Sequence, residues 1–341
     1  MGGSDIVQNF RRYLVRKLGT LAITVFFVTS LNFFIFQVMP GDPSRILLPR
    51  GGGSPTDVTN FTTLRILLTQ RWGLDKPLYY RFAIYLWNLA QGDWGTSIVM
   101  SPGNDVWTII VPRLASTLIF TGTATLLSIW LGMRLGLFTG WKRGKFSEIT
   151  VTMVSLVTYS LPTFWLGLAL VLAFAVAIPI LPTGGEFELS RCATGDTPCI
   201  VWDRSLHLVL PLTAFVVNNY AIFSLIMRNS LTEELSEDYM VTARAKGLSE
   251  RQMILRHAVP NARLPVVTVI ALYVGWIFSG AIVIEAVFHL NGIGLLTWDA
   301  VQTRDYPVLS AVFLLGTLGV VVANTVLDVL YMFLDPRVRE A

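Results

Sequence analysis

Residues 114–133 read LASTLIFTGTATLLSIWLGM, a run without a formal charge. At a rise of about 1.5 Å per residue, a helix of about 20 residues crosses a hydrocarbon core of about 30 Å. Lipid offers no partners for backbone N–H and C=O groups, so a spanning segment must satisfy them internally, as a helix does. The run therefore predicts a transmembrane helix.

Five further uncharged runs of similar or greater length lie on both sides of this one. Hydrophobic residues make up 53% of the chain and charged residues only 14%, against about 25% charged residues in a typical soluble domain. We therefore predict an all-α integral membrane protein with six transmembrane helices. With their flanking residues, the predicted spans are 18–39, 114–140, 149–180, 208–227, 264–288 and 308–334.

Two of these runs have features of their own. The third contains Pro162, which predicts a kinked or tilted helix. The first follows basic residues, as the apolar run of a cleaved signal peptide does. However, it is longer than such a run and has bulky Phe residues where a cleavage site needs small ones. We interpret it as a retained helix.

The basic residues indicate the orientation, because short cytoplasmic loops of membrane proteins are enriched in Lys and Arg. The two short outer loops, 181–207 and 289–307, contain only Arg191, Arg204 and Arg304. The opposite side is much more basic, so both termini are predicted to be cytoplasmic. The predicted cytoplasmic segments are 1–17, 141–148, 228–263 and 335–341.

The segment 40–113 is too long for a simple connector and is predicted to be an extracytoplasmic helical insertion between the first two spans. Apolar and aromatic residues recur at helical spacing from Phe61 to Trp72, and a second aromatic stretch runs from Tyr79 to Trp87. The segment Gly92–Gly95 then predicts a turn. Two compatible interpretations stay open: amphipathic helices at the outer membrane interface, and a docking platform for an extracytoplasmic partner.

The outer loop 181–207 contains Cys192 and Cys199, the only cysteines of the chain. Disulfides persist outside the cytoplasm, so a bridge between them is one possibility and two free thiols the other. The outer segment 291–296 is rich in glycine, which allows either a close backbone approach to a ligand or the capping of a helix. No Cys and His residues have metal-ligand spacing, and the three histidines are scattered.

The longest predicted cytoplasmic loop, 228–263, has a folded pattern of its own. Alanine and long basic side chains between Tyr239 and Lys246 favour a helix, and Gly247 suits the left-handed residue that ends one. Ser249 and Gln252 then fit a capping box at the start of a second, basic helix. A helix, a glycine turn and a helix on the cytoplasmic face suit insertion into a groove of another protein.

This loop resembles the EAA loop of the permease subunits of bacterial ABC (ATP-binding-cassette) importers. Ala243, Gly247 and Pro260 match the family's motif at its spacing. Other residues replace its Glu, first Ala, Ile and Leu, namely Val241, Thr242, His257 and Val259. Further segments are similar to the dipeptide and oligopeptide importer permeases, in family order over nearly the whole chain: Met39–Pro43, Gly73–Pro77, Gly92–Gly95, Thr242–Leu248, Arg256–Ala258, Asn261–Ala262, Pro265 and Leu334–Arg339.

The resemblance implies a type I ABC importer permease fold in the plasma (inner) membrane. The chain would form half of a pathway for short peptides, with a homologous second permease, two ATPase subunits and an extracytoplasmic binding protein. The same family includes importers of oligosaccharides and of nickel, which stay open as alternatives. The residues implied in coupling to the ATPase are Ala243, Arg244, Ala245, Lys246, Gly247, Arg256, His257 and Pro260.

Other classes of function find less support in the residues. The chain has no Gly-x-x-x-x-Gly-Lys-Ser/Thr phosphate loop, so ATP and Mg²⁺ are expected on the partner ATPases and no cofactor is expected in this chain. An ATP-independent secondary transporter often shows paired intramembrane charges or an inverted repeat, and neither is evident. A membrane enzyme would need a catalytic constellation, which is not visible either. The net charge of +4 does not indicate nucleic acid as a partner.

Overall fold

The computed structural model of the protein describes residues 3–38, 76–188, 192 and 196–334. Within these ranges the regular elements are helices, and one isolated β-bridge joins Thr96 and Asp105. The helices are α1 (Gly3–Val38), α2 (Leu78–Ala90), α3 (Val106–Trp141), α4 (Phe146–Ser160), α5 (Thr163–Val171), α6 (Thr197–Glu234), α7 (Asp238–Ala245), α8 (Glu250–Met253), α9 (Val259–Ala262), α10 (Leu264–Trp276), α11 (Ile282–Val287), α12 (Ile293–Thr303) and α13 (Tyr306–Leu334).

Several of these helices have the length and composition of membrane spans. Four described helices qualify alone, within α1, α3, α6 and α13. Two further spans are counted if two helical segments joined at a bend are taken as one span. The first pair is α4 with the segment Thr163–Ala177, and the second is Glu250–Ala262 with Leu264–Ser279. The all-helical, membrane-spanning class predicted from the sequence is therefore confirmed at this coarser level.

The third predicted span is broken at Pro162. The axes of α4 and of the segment Thr163–Ala177 differ by 97°, so the predicted kink is confirmed and is a sharp bend. Proline lacks an N–H and pushes the preceding residue out of the helical region, and Leu161 is extended with ψ 133°. Asn218 compensates by donating from Nδ2 to the Leu161 carbonyl at 3.0 Å. The last helical residue is Ala177, so the end of the predicted range 149–180 is not helical.

The centre of the bundle is a close contact between α3 and α6. A Cβ atom built on Gly132 would lie 2.4 Å from the Tyr220 carbonyl oxygen, and one on Gly136 would lie 2.5 Å from that of Ser224. These distances are shorter than any van der Waals contact, so only glycine allows this approach. Both helices also extend beyond their predicted spans on the predicted outer side. Aspartates cap them there, with Asp105 accepting a hydrogen bond from the Trp107 N–H.

The described part of the predicted extracytoplasmic insertion contains α2, over the second aromatic stretch. This helix packs against α1, where the Phe82 ring lies 5.2 Å from that of Phe33. The Asn32 amide donates to the Tyr85 hydroxyl at 3.2 Å and to Ser310 Oγ at 2.8 Å, joining α1, α2 and α13. The predicted helical stretch Phe61–Trp72 and the segment Met39–Pro43 lie outside the described residues, as do most of Gly73–Pro77 and the tail 335–341.

The predicted fifth span, 264–288, is interrupted towards its C-terminal end. A 3₁₀ turn at Ile277–Ser279 follows α10, and Gly280 adopts φ +72° before α11 begins. The buried Glu285 accepts hydrogen bonds from the N–H groups of Gly294 and Leu295 at 2.7 and 3.1 Å and from Thr117 Oγ1 at 3.1 Å. The glycine-rich outer segment therefore begins α12 and packs closely around a carboxylate.

Candidate functional site

The predicted cytoplasmic loop 228–263 is folded as its sequence pattern predicts. The helix α7 ends at Ala245, and Gly247 has φ +76° in the left-handed region. Ser249 caps α8, and Gln252 completes the capping box with a bond from the Ser249 N–H to its Oε1 at 3.1 Å. A π-helical turn at Ile254–Ala258 leads into α9. The helix, the glycine turn and the capped second helix are therefore confirmed.

One side of this loop is packed onto the membrane helices. Met240, Ala243, Met253 and Ile254 are buried in a cluster with residues of α6, including Phe223, Met227 and Leu231. Residues of α3 pack against the same cluster. Burial of a Met, Ile, Leu or Phe side chain stabilises such a contact by about 1.5–3 kcal/mol. The loop is thus a fixed extension of the bundle.

Polar contacts complete this attachment. The Tyr239 hydroxyl donates to Glu234 Oε2 at the end of α6 and accepts a bond from Asn261 Nδ2 in α9 at 3.4 Å. Burial raises the pKa of Tyr239 above its ordinary value, and the hydrogen bond to Glu234 raises it further. The phenol is therefore neutral at physiological pH and keeps the proton that it donates to the carboxylate.

Most of the residues that the resemblance implies in coupling are exposed, and Arg244, Lys246 and Arg256 among them are cationic. We define the coupling surface as Arg244, Ala245, Lys246, Gly247, Arg256, His257 and Pro260, all of which are exposed. They occupy two places, with the first four around the glycine turn and the other three on the segment leading into α9 and within it. Ala243, also predicted to take part in coupling, is instead 5% exposed and faces the bundle. Ala243 therefore supports the surface from beneath and is not itself available to a partner.

Two exposed apolar residues of this loop were not predicted from the sequence. Val241 is 66% exposed on α7, and Leu255 is exposed in the π-helical turn. The helical periodicity could have identified Val241. Met240 and Ala243 face inward, and Val241, which lies between them in the sequence, is therefore on the opposite face of α7. Exposed apolar residues beside cations are typical of a surface that meets another protein.

Outside this loop, the structure joins Cys192 and Cys199 in a disulfide with a Cα–Cα distance of 5.7 Å. The bond closes a small loop immediately before and within the start of α6. Among the described residues, no group of three or more His, Cys, Asp or Glu side chains is placed to hold a metal ion.

Comparison with known proteins identifies the family. A family model described as "Binding-protein-dependent transport system inner membrane component" matches residues 132–340, more than half of the chain and all of the coupling surface. The chain belongs to this family. The resemblance to permease subunits of binding-protein-dependent importers is thereby confirmed, and the relatives below confirm their peptide branch. The chain is a transport subunit in the inner membrane and not an enzyme.

Full-length relatives support the same conclusion. The chain is 35% identical over 339 residues to the di/tripeptide transport system permease protein of Pseudomonas aeruginosa (strain UCBPP-PA14), covering 96% of this chain and 98% of the relative. It is 34% identical over 345 residues to the dipeptide transport system permease protein of Escherichia coli (strain K12), with the same coverage. The glutathione transport system permease protein of Escherichia coli (strain K12) is 35% identical over 327 residues, again with 96% and 98% coverage. The family of this permease generally works with a permease partner, an ATPase and a binding protein.

Proposed function

We propose that this permease forms half of the translocation pathway for short peptides in an ATP-driven importer. The observation that carries the proposal is the similarity over nearly the whole chain to relatives named for dipeptides, di/tripeptides and glutathione. Glutathione is itself a modified tripeptide, so the named substrates share one chemical class. Nothing in the comparisons favours oligosaccharides or nickel as substrates, or a transporter that works without ATP.

The proposed topology has six spans with both termini in the cytoplasm. Its support is the set of four long apolar helices, the bent pair of α4 with the segment Thr163–Ala177, and the apolar helix α10, together with the concentration of Lys and Arg on one side. In this topology the coupling surface faces the cytoplasm and the insertion 40–113 faces outward. The spans, in chain order, are 18–39, 114–140, 149–180, 208–227, 264–288 and 308–334.

The coupling surface is proposed to bind an ATPase subunit. Arg244, Lys246 and Arg256 are exposed and form no ion pair with any described residue. Unpaired cations around a rigid turn match a partner cleft that carries carboxylates, because complementary charges favour docking. ATP and Mg²⁺ would then be bound by that partner, and this chain would transmit the movement that their binding causes.

The proposed complex contains this permease, a homologous second permease, two ATPase subunits and an extracytoplasmic binding protein. The two permeases would complete the pathway between them. The binding protein would deliver substrate to the outer side, where α2 presents the exposed Tyr79, Tyr80 and Trp87 next to the first span. Aromatic side chains of this kind suit either a protein contact or the lipid headgroup level.

Transport by the reconstituted complex tests the proposed function. The permease is purified with its co-purifying chains, placed in proteoliposomes and supplied with ATP and the binding protein. We expect ATP-dependent uptake of a labelled dipeptide or tripeptide, and no competition from an oligosaccharide or from Ni²⁺. Uptake of the sugar or the metal without peptide would contradict the proposed substrate, and uptake that does not need ATP would contradict the proposed class of transporter.

A further inference from the structure

A tight turn joins α3 to α4 on the side of the bundle that carries the coupling surface. The turn, residues 142–145, is closed by a bond from the Lys145 N–H to the Lys142 carbonyl at 3.0 Å. Gly144 adopts φ +80° in it, and its N–H donates to Glu148 Oε2 at 3.1 Å. The carboxylate of Glu148, in the first turn of α4, therefore fixes the shape of the turn.

The same carboxylate binds the base of the loop 228–263, which is called the coupling loop below. Arg228, on α6 at the start of that loop, donates from Nε to Glu148 Oε1 at 2.9 Å, and its Nη2 donates to the same oxygen. The Glu148 side chain is only 8% exposed and that of Arg228 27%. Both Glu148 oxygens are therefore used, and removing either partner would leave a poorly solvated charge behind.

A second contact joins the end of α3 to the coupling loop. The indole Nε1 of Trp141, the last residue of α3, donates to Glu250 Oε1 at 3.1 Å. Glu250 is the first residue of α8 and follows the capping residue Ser249. The turn 142–145 is thus flanked by two bonds that reach different parts of the coupling loop, one at its base and one beside the glycine turn.

The helix α4 is also held at its other end. Asn218 and Tyr220 of α6 bond to the last turn of α4, where Asn218 Nδ2 donates to the Thr158 carbonyl at 3.3 Å and Thr158 Oγ1 donates to the Tyr220 hydroxyl at 3.2 Å. α4 therefore has polar contacts to α6 near both of its ends. The extended residues Leu161 and Pro162 beyond it lack regular helical bonds, so they are the natural place for the third span to bend.

From these contacts we propose that the turn 142–145 and the coupling loop move as one unit, and that Glu148 is the positioning residue that joins them. The inference rests on the proposed function and deepens it. If the ATPase displaced the coupling surface, the movement would be transmitted directly to α3 and α4. It would also reach α6 and α10, because these two helices are continuous with the loop. Without the Glu148 contact, α4 would no longer follow the movement of the coupling loop, although the ATPase would still be bound.

The test uses the whole complex in proteoliposomes and measures peptide taken up per ATP hydrolysed. For Glu148→Gln we expect this ratio to fall by about fivefold or more, the lower end of coupling between linked sites, with an unchanged amount of co-purified ATPase. The matched control is Glu186→Gln, which removes the outer ion pair of Glu186 with Arg204, 3.1 Å in length, and should leave the ratio unchanged.

A cross-linking experiment decides the question even if Glu148→Gln does not assemble. Cysteines replace Trp141 and Glu250, and a short bifunctional thiol reagent joins them. The two natural cysteines do not react with the reagent, because they form a disulfide with each other. If the segments move together, the cross-linked complex keeps its uptake. Blocked uptake after cross-linking, or an unchanged ratio in Glu148→Gln, overturns the inference. A wild-type complex without ATP-dependent peptide uptake would instead overturn the proposed function.

Discussion

At the scale of single residues, Gly247 determines the shape of the coupling surface. Its φ of +76° is accessible to glycine but costs other residues about 1–2 kcal/mol, and more when they are β-branched. Nothing lies within 4 Å of a Cβ atom built at this position, so a substitution acts through the backbone alone. We expect Gly247→Val to reduce binding of the ATPase by about five- to thirtyfold, measured as co-purified ATPase, while membrane insertion is unchanged.

The control for this prediction is Gly247→Asn. Asparagine adopts the left-handed conformation more readily than other non-glycine residues, so this variant should retain most of the binding although its side chain is also larger than a hydrogen atom. If Val and Asn reduced the binding equally, the size of the side chain would be the cause of the loss, and the backbone conformation would not. If neither had an effect, the coupling surface would be assigned wrongly.

Local chemistry decided which residues of this loop were predictable. The capping box of Ser249 and Gln252 and the turn at Gly247 depend on near neighbours in the sequence, and both are present in the structure. The inward position of Ala243 depends on how α7 packs against α6, which the sequence does not reveal. The role of Glu285 was equally hidden, because its partner Thr117 lies on α3, far away in the chain.

At the scale of helices, the glycines of α3 set its distance from α6. We expect Gly136→Ala to lower the midpoint of thermal unfolding in detergent, because the new methyl group would meet the Ser224 carbonyl oxygen at 2.5 Å. Such overpacking costs about 1–3 kcal/mol. Gly122→Ala is the control on the same helix, where a Cβ atom meets nothing within 4 Å. It should leave the midpoint unchanged or raise it, since alanine favours a helix, and equal losses in both variants would contradict the packing argument.

Helices were predictable where composition alone determines them. The apolar runs indicated α3 and α6 because a segment in lipid must be helical. The outer ends of these helices were missed, since aqueous surroundings allow several conformations and local caps such as Asp105 decide among them. Pro162 predicted a kink but not its 97° angle, which is accompanied by long-range contacts such as that of Asn218 with the Leu161 carbonyl. The break at Gly280 depends on the close approach of Gly294 and could not be read from a single segment.

At the scale of the whole molecule, charge is distributed unevenly between the two sides. Buried carboxylates on the predicted outer side are paired with backbone N–H groups, as for Asp305, which accepts bonds from the Val99 and Met100 N–H groups at 2.9 and 3.0 Å. The cations of the coupling surface have no such partners among the described residues. The buried Asp305 on the predicted outer side is therefore satisfied internally, whereas the exposed cations of the coupling surface are available to another molecule.

This asymmetry predicts how the ATPase is held. Arg244→Glu combined with Arg256→Glu should weaken binding of the ATPase by at least about tenfold, because it reverses two exposed charges that would face the proposed acidic cleft. Since exposed pairs are screened by salt, binding by the wild type should also weaken between about 0.05 and 0.5 M NaCl, and that of the variant should change less. Lys76→Glu, an exposed charge reversal on the outer side, is the control and should leave both the affinity and its salt dependence unchanged. Wild-type binding that is independent of salt would mean that apolar contacts such as Val241 hold the partner, and the charge of its cleft would then be immaterial.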